Sequence, residues 1–132
     1  MPPRGLNLTY PEHMPRSGGD AAPRDYITTG TWPNAALGDD APASAIYAQA
    51  FVRNLNRVIA ERGNPSIREV GRQASVTRHT LDRALDGRNM PDFGAIARLE
   101  EWAQADLWPG PEIRRRAHLT HPSPTPKRAK DR

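Results

Sequence analysis

Between Ser66 and Gly87 the chain specifies both ends of two short helices, and this stretch limits the possible folds more than any other. Pro65 disfavours helix at Asn64, and Ser66 followed three positions later by Glu69 is a capping box, in which hydroxyl and carboxylate satisfy orphan amides reciprocally. A helix is therefore predicted from Ile67. Ile67, Val70, Gly71 and Ala74 form a narrow apolar or small stripe, while Arg68, Glu69, Arg72 and Gln73 face water. A glycine inside a helix costs roughly 1 kcal/mol relative to alanine, so Gly71 points to another helix packing closely there.

Ser75 and Val76 make the turn, with Val76 as its buried anchor. Thr77 is a good N-cap for a second helix, which ends at Asp86 because Gly87 can adopt the left-handed conformation. Leu81, Ala84 and Leu85 share one face of this helix; Arg78, His79, Asp82 and Arg83 share the other, which is too polar to be core. Arginine fits the O6/N7 edge of guanine bidentately, histidine can bond a base or a phosphate, and an aspartate can accept from the cytosine amine. The alternative is a solvated face on which Arg78 and Asp82 pair at i,i+4.

The run V-G-R-Q-A-S-V-T-R-H-T-L-D-R-A-L-D-G-R-N-M-P-D-F resembles the Cro/lambda-repressor (XRE-type) helix-turn-helix family, over residues 45 to about 108. The matching positions are Gly71 after the apolar anchor Val70, Val76 in the turn, Leu81 five residues on, Gly87 closing the recognition helix and Pro91 opening the next. Ser75 stands where the family commonly has glycine, and the acidic residue usual near the end of the recognition helix is displaced, with Leu85 and Asp86 in its place. The resemblance implies base contacts by Arg78, His79 and Arg83, to which the chemistry of the face adds Asp82. It also implies phosphate contacts by Arg88 and Asn89 after the recognition helix and by Ser66 and Arg68 at the start of the first, with Thr77 beside them.

The flanking helices fit the same architecture. Residues 44–62 put Tyr47, Phe51, Leu55, Val58 and Ile59 on one stripe, and Gly63 closes that helix. Asp92 can cap a fourth helix whose apolar face is Phe93, Ile96, Leu99, Trp102 and Ala103. A short fifth helix is expected over 111–119, opened by Pro111. No alternating pattern of the strand type is evident. The expected fold is all-α, a compact four- to five-helix bundle containing a helix-turn-helix, with extended N- and C-terminal arms.

Prolines and glycines crowd the two ends, which divides the chain into a flexible arm over 1–42, a helical domain over 43–119 and a basic tail over 120–132. Tyr26, Ile27 and Trp32 are the arm residues suited to folding back onto the helices or meeting a partner. Residues 1–42 carry three arginines against five acidic residues, 43–111 nine against eight, and 112–132 seven basic residues against two acidic. Positive charge is thus concentrated at the C-terminal end. There Arg114, Arg115 and Arg116, with the later K-R-A-K, suit phosphates, unless the tail serves only solubility.

The chain lacks cysteine, which excludes disulfides and thiolate metal sites and fits a cytoplasmic protein of a bacterial or phage-infected cell. It has neither an apolar run of membrane-spanning length nor an apolar signal core. His118 and His121 are spaced for a metal but have no third ligand nearby, and Glu100 and Glu101 are expected on a solvated helix face. Neither catalysis nor a cofactor is expected. The reading is a sequence-specific regulator, a small repressor of phage or mobile-element type that occupies an operator in double-stranded DNA. The competing readings are an antitoxin-like protein whose arms engage a toxin, and a protein-binding adaptor. A homodimer through Trp102, Trp108 and Ile113 is one arrangement on DNA; those residues can equally complete the core.

Overall fold

The computed structural model describes residues 19–113. A 3-10 turn, Pro23–Tyr26, leads into a small antiparallel pair, β1 (Ile27–Thr29) and β2 (Ala36–Leu37). Four helices follow: α1 (Ala43–Glu61), α2 (Ile67–Ala74), α3 (Arg78–Leu85) and α4 (Phe93–Ala103). The described residues are thus mostly helical, as expected.

The longest helix, α1, buries Ala45, Ala48, Phe51, Val52, Leu55, Val58 and Ile59, the three- and four-residue spacing of one helical face. Phe51, Val52, Leu55, Val58 and Ile59 join Val70 and Ala74 of α2, Val76 of the turn and Leu81 of α3 in a single cluster. Ala95, Leu99 and Ala103 of α4 and Leu107 beyond it complete that cluster. Gly63, at φ +86°, ends α1 as the sequence suggested.

Helix α4 starts where expected, with the Ala95 amide donating to Asp92 Oδ1 at 2.8 Å. Phe93, however, is 90% exposed and takes no part in the apolar face assigned to it. It occupies the first helical position, one residue after the cap. The burying stripe begins only at Ala95, so the side chain of Phe93 projects away from the bundle.

The chain beyond α4 closes the core from below. Leu107 is fully buried, and the Trp108 ring meets Tyr47 edge-on at 5.8 Å and Phe51 at 6.1 Å. Glu100 is not on a solvated face: its Oε2 accepts from the amides of Leu107 and Trp108, each at 2.9 Å. Asn54 Nδ2 donates to the Leu107 carbonyl at 2.8 Å. Trp102 is likewise engaged within the chain, its indole N–H donating to Gln73 Oε1 at 2.8 Å while the Arg62 guanidinium lies 4.7 Å from its ring centre. Helical structure begins again at 111–113. The rest of the expected fifth helix, Arg114 to Arg116, the tail over 120–132, and His118 and His121 lie outside the described residues.

Two expectations for the N-terminal part are corrected. Strands exist, pairing Ile27 with Leu37 and Thr29 with Ala36 across an irregular register. The segment around them is packed structure and not an arm: Pro23, Ala35 and Ala41 are buried, and Trp32 packs against the core cluster. Gln49 Nε2 of α1 donates to the carbonyls of Pro33 (2.8 Å) and Ala35 (2.7 Å), and Arg53 Nε donates to Pro33 (3.1 Å). The packed unit therefore begins by Pro23 instead of at residue 43. The strands are too short to show a period of two, and the docking bonds run to backbone carbonyls, which leave no mark in a side-chain pattern. Residues 1–18 lie outside the described residues.

Candidate nucleic-acid interface

The candidate surface is built by α2, the connection 75–77 and α3. At the start of α2 the Ser66 hydroxyl accepts from the Glu69 amide at 3.1 Å. The reciprocal half of the capping box does not form. Instead the Glu69 carboxylate is turned along the helix, taking Arg72 Nε at 3.1 Å, a second closer bond from the same guanidinium, and Gln73 Nε2 at 2.7 Å. The hydrogen bond from Arg72, then that from Gln73, lowers the Glu69 pKa from an ordinary 4.5 to about 2. Since Gln73 also accepts from Trp102, the outer side of α2 is connected to α4.

The turn closes tightly on α2. Ser75 adopts the left-handed conformation, φ 61° and ψ 43°, and the Val76 amide returns to the Gly71 carbonyl at 2.9 Å. A Cβ on Gly71 would lie 2.6 Å from the Val76 carbonyl oxygen. The glycine thus makes room for the backbone of the turn, not for a neighbouring helix as the sequence suggested. A serine at position 75 meets the conformational demand that glycine meets more cheaply. Thr77 then caps α3, its Oγ1 accepting from the Thr80 amide at 3.1 Å.

With Leu81 and Ala84 buried beneath it, α3 leaves Arg78, His79 and Asp82 exposed and Arg83 half-exposed along one side. Arg78 Nε and Asp82 Oδ2 are 3.5 Å apart, an i,i+4 pair open to solvent. At the far end the Arg83 carbonyl accepts from the amides of Arg88 (2.9 Å) and Asn89 (3.3 Å), folding the following loop back onto the helix. With its amide turned so that both groups are satisfied, Asn89 accepts from Arg83 Nε at 2.9 Å and donates to the Arg88 carbonyl at 2.6 Å. Arg83, Arg88 and Asn89 are therefore gathered at one end of α3, while Ser66 and Arg68 stand separately, exposed, at the start of α2.

Asp86 belongs to this end and was not singled out by the sequence. Its Oδ2 meets both Arg88 Nε, at 2.7 Å, and Arg24 Nη1, at 3.1 Å. No spacing rule links positions 24 and 86, so this grouping appears only with the fold.

Comparison with protein-family models, with curated proteins and with solved structures finds no match. Among the described residues no group of three or more His, Cys, Asp or Glu is placed to hold a metal ion, and no helix is long and apolar enough to cross a membrane. The outer side of α3 presents the guanidiniums of Arg78 and Arg83, the imidazole of His79 and the carboxylate of Asp82, above the buried Leu81 and Ala84.

Proposed function

We propose that this protein is a sequence-specific DNA-binding regulator, a small repressor of the phage or mobile-element kind, in which α2 and α3 act as a helix-turn-helix of the Cro/lambda-repressor type. The observation that carries the reading is the fixed attachment of α3. Gly71 admits the Val76 carbonyl, Leu81 anchors the helix below, and Arg78, His79, Asp82 and Arg83 are left on its outer side. In this reading α3 lies in the major groove, with Arg78, His79 and Arg83 at base edges and Asp82 available to a cytosine amine. Ser66, Arg68, Thr77, Arg88 and Asn89 meet phosphates on either side. Occupying the operator excludes polymerase.

Residues 43–111 are almost neutral, and the seven basic residues of 112–132 supply salt-sensitive affinity for DNA of any sequence. The test is selection from a random duplex library at two salt concentrations. The expected outcome is one enriched motif at both, palindromic if two copies bind half-sites. Absence of enrichment would overturn the proposal and favour a role in protein binding.

A further inference from the structure

We infer that Arg24 and Arg88, held side by side on Asp86, form a phosphate-binding clip at the end of α3, so that the N-terminal segment is part of the nucleic-acid interface. The inference rests on the DNA-binding reading above and adds to it a residue from outside the α2–α3 unit.

Both guanidiniums approach a single carboxylate oxygen: Arg24 through Nη1 at 3.1 Å and Arg88 through Nε at 2.7 Å, with all three side chains open to solvent. Two arginines so close would repel each other without the carboxylate between them, and the trio retains one net positive charge. A guanidinium has five N–H donors; in this arrangement Arg24 gives one of them to Asp86 as a hydrogen bond, while Arg88 meets the same carboxylate as an ion pair. The remaining donor edges are free to meet the oxygens of a phosphodiester, which arginine recognises through paired N–H bonds. Asp86 is a positioning residue here: it orients the two forks and touches no ligand.

The backbone beneath Arg24 is also fixed. Its amide donates to the Gly87 carbonyl at 3.0 Å, and its Cβ lies 3.0 Å from where a Cβ on Gly87 would stand. The side chain therefore leaves a point directly attached to the C-terminal end of α3. A phosphate flanking the groove that α3 enters would meet a preformed pair of donors, with little side-chain ordering left to complete.

The experiment measures binding of the full chain to its selected duplex and to a random-sequence duplex, from low to moderate salt. It compares wild type, Arg24→Gln, Asp86→Asn, the double variant, and the charge-matched variant Arg57→Gln. Loss of one phosphate contact lowers the salt slope by about 0.9. Arg24→Gln should show that loss and weaken both duplexes by the same factor, while Arg57→Gln leaves the slope unchanged. If Asp86 organises the clip, Asp86→Asn weakens binding despite removing a negative charge, and Arg24→Gln then has less effect in its background. A wild-type slope in Arg24→Gln, or tighter binding by Asp86→Asn with additive effects, would overturn the clip and leave the DNA-binding reading standing. Failure of the wild-type chain to bind either duplex would overturn both.

Discussion

A Cβ on Gly87 would lie 2.8 Å from Cδ2 and from Cε2 of Trp32, so the indole of the N-terminal segment occupies the space that the missing side chain leaves at the end of α3. Gly87 also has φ +74°, where a residue other than glycine costs about 1–2 kcal/mol. Gly87→Ala should therefore destabilise by more than the backbone cost alone, because Trp32 must move. In a Trp32→Ala background the same substitution should cost less, leaving the backbone cost of about 1–2 kcal/mol and the tight 3.0 Å approach to the Arg24 Cβ. Chemical denaturation of the four proteins measures the coupling; simple additivity would show that the ring does not depend on this contact.

Glu100 ties the segment after α4 to the bundle through two backbone amides on one oxygen. Glu100→Ala leaves both part-buried amides without that partner and should destabilise by about 1–3 kcal/mol, whereas Glu100→Gln keeps an acceptor and should cost less. Because Trp108 packs on Tyr47 and Phe51, its fluorescence should report the loosening. Equal effects of Glu100→Ala and Glu101→Ala would contradict the special role of Glu100.

The carboxylate of Glu69 gives stability a defined pH dependence. Its pKa is depressed from 4.5 to about 2 in the folded chain, so its contribution is present above about pH 4.5 and disappears as pH falls towards 2. Glu69→Gln should thus be less stable than wild type at pH 7, with the difference closing between pH 4.5 and 2. Molar salt should shrink the difference at pH 7, since the Arg72 partner is at the surface. A difference that persists undiminished at pH 2 would assign it to something other than carboxylate charge.

How much the sequence discloses depends on whether an interaction is local. The caps at Ser66, Thr77 and Asp92 and the stop at Gly87 involve neighbours within four residues; each cap side chain accepts its helix amide and Gly87 takes a positive φ. The reciprocal bond from Glu69 fails because Arg72 and Gln73, one turn on, offer its carboxylate charged and amide donors. The docking of the N-terminal segment depends on Gln49 reaching carbonyls fourteen and sixteen residues away, and on Arg24 meeting Asp86 across sixty-two. Residue type alone carries no trace of such pairings. The outer face of α3 was readable because exposed polar residues at helical spacing are a local signal; the clip at its end was not.

Phe93 supplies a direct contrast between hydrophobicity and burial. Being 90% exposed, it should tolerate Phe93→Ala within about 0.5 kcal/mol. Leu99, fully buried six residues along the same helix, should lose about 2–5 kcal/mol as Leu99→Ala. Thermal denaturation of the two variants checks the assignment. A large loss for Phe93→Ala would place that ring against an unrecognised surface, such as a second copy of the chain.

Arg78 separates the two readings of the α3 surface. Its pairing with Asp82 spans 3.5 Å between two exposed side chains, and pairs of this kind contribute about 0–1 kcal/mol. Breaking it to meet a base therefore costs little. If Arg78 reads a guanine, Arg78→Ala should leave thermal stability almost unchanged, lose roughly 1–3 kcal/mol on the selected duplex, and relax preference at one base pair. If the pair is merely a solvated surface bridge, the variant should select the same motif with the same stringency. Repeating the library selection with Arg78→Ala distinguishes them, because a lost phosphate contact would weaken every sequence alike and leave the motif intact.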